Sequence, residues 1–307
     1  MNPITALAFM LVFPGGLTIL TQALAFEWID RKLVARVEDR VGPPWYQPAA
    51  DLVKLLSNEE VIPENVNRSL FVALPIIALA GALASAVYVP LFGLDPAISF
   101  QGDLIVAVYL LSLLTLCTGL AGANGLGRFS AVGSLRALTQ LFSYEAPFLL
   151  ALLGPAVAAG SLSIAEIVEF SSQRWLLLVQ PIGFLVALIG LLGKLELRPF
   201  DAPEAETEIV AGALTEYSGR GLALFHLGRE VEMVVGLTLI SAFYLGGVAT
   251  LPAFLFKTIG LLVLITIGRA LMARFRIDQV VGLWWRFWAI LLLVQWLITL
   301  ALERFLL

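Results

Sequence analysis

Carboxylates gather in one connection of this chain. Residues 196–220, ELRPFDAPEAETEIVAGALTEYSGR, hold Glu196, Asp201, Glu204, Glu206, Glu208 and Glu216 against only Arg198 and Arg220. Other acids interrupt apolar runs: Glu145 in LFSYEAPFLLALLG, and Glu230 and Glu232 beside Arg229 in ALFHLGREVE. A carboxyl group taken out of water, or crowded by like charges, keeps its proton to higher pH, toward the range where protons exchange near neutrality. A charge at the centre of a membrane helix costs about 2.5–3.5 kcal/mol on insertion scales, so such residues face a bundle interior or a wet cavity. Titratable side chains running from a loop into two apolar helices are what a proton relay requires.

Simpler explanations cover part of this set. DAPE reads as a helix opening, with Asp201 as N-cap, Pro203 in the first turn and Glu204 three residues after the cap. Acids at a helix N-terminus are favoured by its dipole, which also accounts for Glu206. Glu208 and Glu216 stay unexplained, as does the apolar group Ile209, Val210, Ala211 and Leu214. A loop this apolar is expected to pack against the rest of the chain and to desolvate the carboxylates at its edge. A local pair with Arg229 accounts for Glu230 or Glu232, not both. Lys194 and Glu196 close an apolar run and could snorkel to water. His226 reads as a hydrogen-bonded core residue, and Trp284, Trp285 and Trp288 with Arg286 as an interfacial aromatic belt.

The elements that position these groups follow from composition. The chain has 307 residues, 60% hydrophobic and 14% charged, against roughly 25% charged in soluble domains. Its mean hydropathy is +0.93. One soluble core cannot hide this much apolar surface, so the chain reads as an all-α integral membrane protein of the cell membrane, in contact with the lipid bilayer. Single residues Cys117 and His226 argue against disulfides, a cysteine zinc site, an iron–sulfur cluster or a haem in this chain. A net charge of −4 gives no sign of nucleic-acid binding. The N-terminal run lacks a positive leader and reads as the first membrane helix, not a cleaved signal.

Eight segments are long and apolar enough to span, at about 4–26, 69–92, 103–122, 137–160, 175–195, 222–246, 251–269 and 284–303. Basic residues concentrate in alternate connections: Arg31, Lys32, Arg36, Arg40, Lys54 and Arg68, then Arg128 and Arg136, then Arg198 and Arg220, then Arg274 and Arg276. By the positive-inside rule these are cytoplasmic, and both termini lie outside. The chain is then a single polytopic domain, 1–307, with large cytoplasmic loops at 27–68 and 196–221. Within the first loop, PPWYQPAADLVKLLSNEE restarts after Pro48 and places Ala49, Leu52, Val53 and Leu56 on one helical face. That pattern predicts a short amphipathic helix on the membrane surface.

RPFDAPEAETEIVAGALTEYSGR closely resembles the acidic loop of the respiratory complex I membrane subunit that anchors the quinone-site module. DRVGPPWYQPAADLVKLL resembles that family's first cytoplasmic loop, and TQLFSYEAPF its glutamate-bearing helix. Departures stand out in three places, the first where Gly42 runs directly into PPWYQP although that family usually has a longer stretch there. YSGRGLAL, with Arg220 after the glycine, is similar to the equivalent subunit of energy-converting membrane-bound [NiFe] hydrogenases and sulfane-reducing relatives. Arg229 stands where the complex I subunit tends to have an acid, with Glu230 next to it.

The resemblance implies an anchor and energy-coupling subunit with no redox centre of its own. Electrons would pass from ferredoxin through iron–sulfur clusters, and through a nickel–iron centre in the hydrogenase case, in partner subunits of a peripheral arm. Those partners would be iron–sulfur and hydrogenase-large-subunit-like proteins, docked by Arg36, Asp39, Arg40, Arg198 and Arg220. Glu196, Asp201, Glu204, Glu206, Glu208 and Glu216 would sense the chemistry there. Glu145 and Glu230 would relay it, or protons, to antiporter-like subunits that move H+ or Na+. The alternatives are the quinone-site subunit of a donor:quinone oxidoreductase and a passive scaffold.

Overall fold

The computed structural model describes residues 15–306, and their side chains except those of Glu206 and residues 302–306. Helices make up its regular structure, and no strand occurs among the described residues. In chain order they are α1 (Gly16–Val37), α2 (Gln47–Ser57), α3 (Arg68–Ser85), α4 (Asp103–Asn124), α5 (Arg128–Ala159), α6 (Ile164–Gln173), α7 (Leu176–Val179), α8 (Pro181–Lys194), α9 (Glu206–Ile209), α10 (Gly219–Tyr244), α11 (Leu251–Leu271), α12 (Ile277–Leu283) and α13 (Ala289–Leu306). A π-helical turn, Trp284–Trp288, joins the last two.

Five stretches are long and apolar enough to cross a membrane: Arg68–Tyr88, Asp103–Asn124, Arg128–Ala159, Leu251–Leu271 and Ile277–Ala301. Their outer faces carry large apolar side chains such as Phe256 and Leu297, 82% and 69% exposed, as contact with lipid requires. The other three expected spans differ in instructive ways. The first begins outside the described residues and continues as α1. The fifth is broken: Pro181 lacks an N–H and pushes Gln180 out of the helical region, so α7 stops and α8 starts anew with only 14 residues. The sixth is α10, 26 residues long, buried almost throughout and interrupted by Arg229, Glu230 and Glu232.

The fourth expected span starts too late. Arg128 and Arg136 belong not to a loop but to the opening turns of α5. Apolar-run reading ends where charges begin, whereas the helix continues because it is packed. The Gly212–Leu214 turn of the acidic loop lies so close that a Cβ on Gly133 would meet Ala213 N at 2.2 Å. The apolar residues of the acidic loop are thus accounted for. Ile209, Ala213, Leu214 and Tyr217 are buried, and Tyr217 stacks on Phe71 of α3 with ring centroids 4.1 Å apart. Val210 and Ala211 are the exceptions and stay exposed.

One further expectation is corrected and one is met. Trp284 is not part of an interfacial belt: it is fully buried, with its ring 5.5 Å from Phe200 of the acidic loop. The π-helical turn aims it inward, while Trp285, Arg286 and Phe287 stay exposed. Helix α2 forms where expected. It packs on α1 and α10, burying Pro48, while Val53 and Leu56 stay exposed.

Candidate functional site

The acidic loop meets α5, α8 and α10 around two buried ion-pair groups. The first centres on Lys194, the last residue of α8. It does not snorkel: it is 1% exposed. Its Nζ lies 3.2 Å from Glu145 Oε2 on α5 and 3.8 Å from Glu232 Oε1 on α10. The ammonium also donates to Ser112 Oγ at 3.2 Å, and the Ser112 hydroxyl donates to the other oxygen of Glu145. The rings of Tyr144 and Phe148 sit 5.5 and 5.7 Å from the nitrogen, within cation–π range. One cation thus faces two carboxyl groups.

The second group repeats this arrangement. Arg229 of α10 reaches neither of its acidic neighbours in sequence. Its Nη2 lies 3.1 Å from Glu196 Oε2 and its Nη1 2.5 Å from Glu204 Oε1. Burial pushes the Glu196 carboxyl up to about 7, against the pull of Arg229. Burial also raises Glu204, but the charge and hydrogen bond of Arg229 outweigh it and hold that carboxyl below its usual range. Two acids on one cation are thereby driven apart, one ionised and one poised to exchange a proton near neutrality.

A cavity of about 10 Å³ lies between the groups, room for roughly one water. Lys194, Glu196 and Arg229 line it, and Thr115 and Thr118 complete its polar wall. On the acidic-loop side, Glu196 and Glu204 open into a polar pocket of about 330 Å³ edged by Arg40, Asp201 and Arg269. Ionisable groups thus line both the open pocket and the small cavity, with Glu145 and Glu232 in contact with Lys194.

Local backbone geometry turns Glu196 inward. Helix α8 ends in paired reverse hydrogen bonds, Leu197 N to Leu192 O at 3.0 Å and Glu196 N to Gly193 O at 3.3 Å. This is the Schellman termination, whose left-handed position usually holds glycine. Here Glu196 occupies it, at φ 53°. A side chain there costs about 1–3 kcal/mol, a strain that persists only where the surroundings enforce it.

The remaining candidate residues fall elsewhere. Glu230 is on another side of α10, in the wall of a cavity of about 360 Å³ between α1, α2 and α10 that Glu27, Arg31 and Asp51 also border. Asp201 does not cap a helix; α9 begins later, and Asp201 instead pairs with Arg274 at 3.1 Å. Glu208 is half-exposed and bridges Arg136 at 2.8 Å and Arg274 at 3.2 Å, the Arg136 hydrogen bond holding its carboxyl low. Glu216 accepts from the backbone N–H groups of Leu126 and Gly127 and so ties the α4–α5 turn to the acidic loop. The side chain of Glu206 lies outside the described ones. Arg36, Asp39, Arg40, Arg198 and Arg220 are exposed.

Sequence reasoning missed the centres of both groups, Lys194 and Arg229, and chose Glu230 over Glu232. Helical spacing carried the signal. Arg229 and Glu232 are three apart and share a face, whereas Glu230 is about 100° away from Arg229.

The sequence matches the NADH dehydrogenase family over residues 9–300. The chain belongs to that family. The H subunit of NADH-quinone oxidoreductase from Thermomicrobium roseum is 33% identical over 306 residues, with 88% of each chain covered. The protein of the same name from Dehalococcoides mccartyi is 32% identical over 292 residues, covering 92% of this chain and 82% of the relative. That of Carboxydothermus hydrogenoformans is 32% identical over 295 residues, with 91% and 84% covered. Like its family, the chain is a multi-pass protein of the cell membrane. Among the described residues no group of three or more His, Cys, Asp or Glu side chains is arranged to hold a metal ion.

The poised carboxyl of this family member is directly measurable. Glu196 should show a protonated-carboxyl infrared band that disappears as pH rises through about 7 and is missing in Glu196→Gln. Between the ordinary value of 4.5 and about 7 the folded chain binds more protons than the unfolded one, so stability falls as pH rises through that window. A band lost below pH 5 would contradict the assignment.

Proposed function

We propose that this chain is the membrane anchor and energy-coupling subunit of a complex I-related respiratory complex. It links electron transfer in a peripheral arm to H+ or Na+ translocation by other membrane subunits. The observation that carries this reading is the pair of buried groups, Glu204–Arg229–Glu196 and Glu145–Lys194–Glu232, separated by a one-water cavity. Each holds one cation between two carboxylates. A proton or charge change at the open pocket therefore alters the second group through the first, by proton transfer or by electrostatics alone. Buried ion pairs contribute little net stability compared with apolar packing, which disfavours a purely structural purpose.

The proposal includes eight spans with both termini outside and the loops at 27–68 and 196–221 in the cytoplasm. Arg36, Asp39, Arg40, Arg198 and Arg220 would then face the peripheral arm, together with the open pocket. Asp201, Glu206, Glu208 and Glu216 would shape the docking loop and its field, and Glu230 would belong to a side branch.

Two electron acceptors have specific support. YSGRGLAL and Arg229 favour a hydrogenase or sulfane-reductase arm fed by ferredoxin. The names of the relatives favour a quinone, as does the cavity of about 360 Å³ between α1, α2 and α10. Purification through a tag on this chain, with masses of the co-purifying subunits, separates them. A nickel-containing partner and hydrogen evolution from reduced ferredoxin would establish the first. A nickel-free complex that reduces quinone would establish the second. Isolation of the chain with no redox partner would refute the function itself.

A further inference from the structure

Gln140 of α5 is fully buried, and neither ion-pair group uses it. Its Nε2 donates to Gly193 O at 2.9 Å and to Phe200 O at 2.7 Å. Those carbonyls bracket the segment 194–199, which carries Glu196. One amide therefore holds both ends of the turn that aims the poised carboxylate. The turn needs such a hold, because Glu196 occupies a left-handed position that favours glycine. The second face of the segment is held by packing: Phe200 lies against Trp284. Among the described residues, neither the Trp284 indole N–H nor Gln140 Oε1 has a hydrogen-bond partner. Satisfied donation on one side of the amide and an unpartnered acceptor on the other make this a latch that relies on a single NH2 group.

We infer that Gln140 is a positioning residue that keeps Glu196 turned inward, between Arg229 and the cavity leading to Lys194. The inference rests on the coupling function only for its physiological consequence. The geometry predicts that loss of the amide donor releases segment 194–199 toward the open pocket. Glu196 would then move away from Arg229 on α10, from Lys194 across the cavity and from Glu204 in its own loop, toward water and the pocket-edge Arg40, Arg269 and Arg274.

The test uses the whole complex with Gln140→Leu and Gln140→Met, neither of which has a donor or a titratable group, the second keeping the length of glutamine. Deuterium exchange of residues 195–200 and the infrared titration of Glu196 are read in both. The expected result is exchange at least about tenfold faster in that segment, corresponding to about 1.4 kcal/mol of lost protection. The Glu196 midpoint should also fall toward the ordinary carboxylate range. If Gln140→Leu does not assemble, Gln140→Met alone decides. Unchanged exchange and an unchanged midpoint in an assembled variant would overturn the inference, as would a faster exchange with the midpoint unmoved, which a merely structural glutamine would give. Neither readout depends on ion transport, so failure of the coupling reading would leave this result distinguishable.

Discussion

Lys194→Met is expected to destabilise the complex by about 3–5 kcal/mol, because it leaves Glu145 and Glu232 facing each other in a buried site without their shared cation. Methionine fills similar space, so packing stays close to native and the effect isolates charge. The second variant, Lys194→Met with Glu145→Gln, should regain most of that stability, since one carboxylate is gone. It should not regain ion translocation. Thermal unfolding of the purified complex and ion uptake into proteoliposomes check both halves. A single variant as stable as the native protein would show that the ammonium does not hold the two acids together.

Arg229→Met is the second large effect. Arg229 is what keeps Glu204 ionised beside a protonatable Glu196. Without it, burial dominates both carboxyls, and a second protonated-carboxyl infrared band should appear at neutral pH. The ratio of ions moved to electrons transferred should fall at least about tenfold, the cost of roughly 1.4 kcal/mol in the coupling step. The cation also joins α10 to the acidic loop through Glu196 and Glu204, so the loop should become more accessible to protease. An unchanged band pattern would mean that Glu204 is held ionised by something other than Arg229.

Much of this arrangement was legible in the sequence. Apolar length alone marked the helices that became α3, α4, α11 and α13, while α12, which opens the last span, was read as part of the preceding loop. The acidic loop announced itself by charge density, and the apolar residues inside it correctly implied packing. Long-range pairing was not legible. Arg229 had acids beside it in sequence, yet its partners lie 25 and 33 residues away, across a chain reversal that no local rule supplies. Lys194 looked like an interfacial lysine because a helix end and a membrane edge coincide in most proteins. Here α8 is cut short by Pro181 at its other end, and its C-terminus lies inside the bundle. Glu196 in a glycine position breaks a local preference, and such violations concentrate at functional sites.

The most direct test of the central claim is the number of ions moved per electron pair in proteoliposomes holding the complex with Glu145→Gln. Glutamine preserves shape, and its carbonyl oxygen can still accept from Lys194 while its NH2 donates to the Ser112 hydroxyl, but it cannot gain or lose a proton. The account predicts electron transfer that continues while the ion gradient collapses. A gradient built at the native ratio would contradict it and leave the buried carboxylates as scaffold.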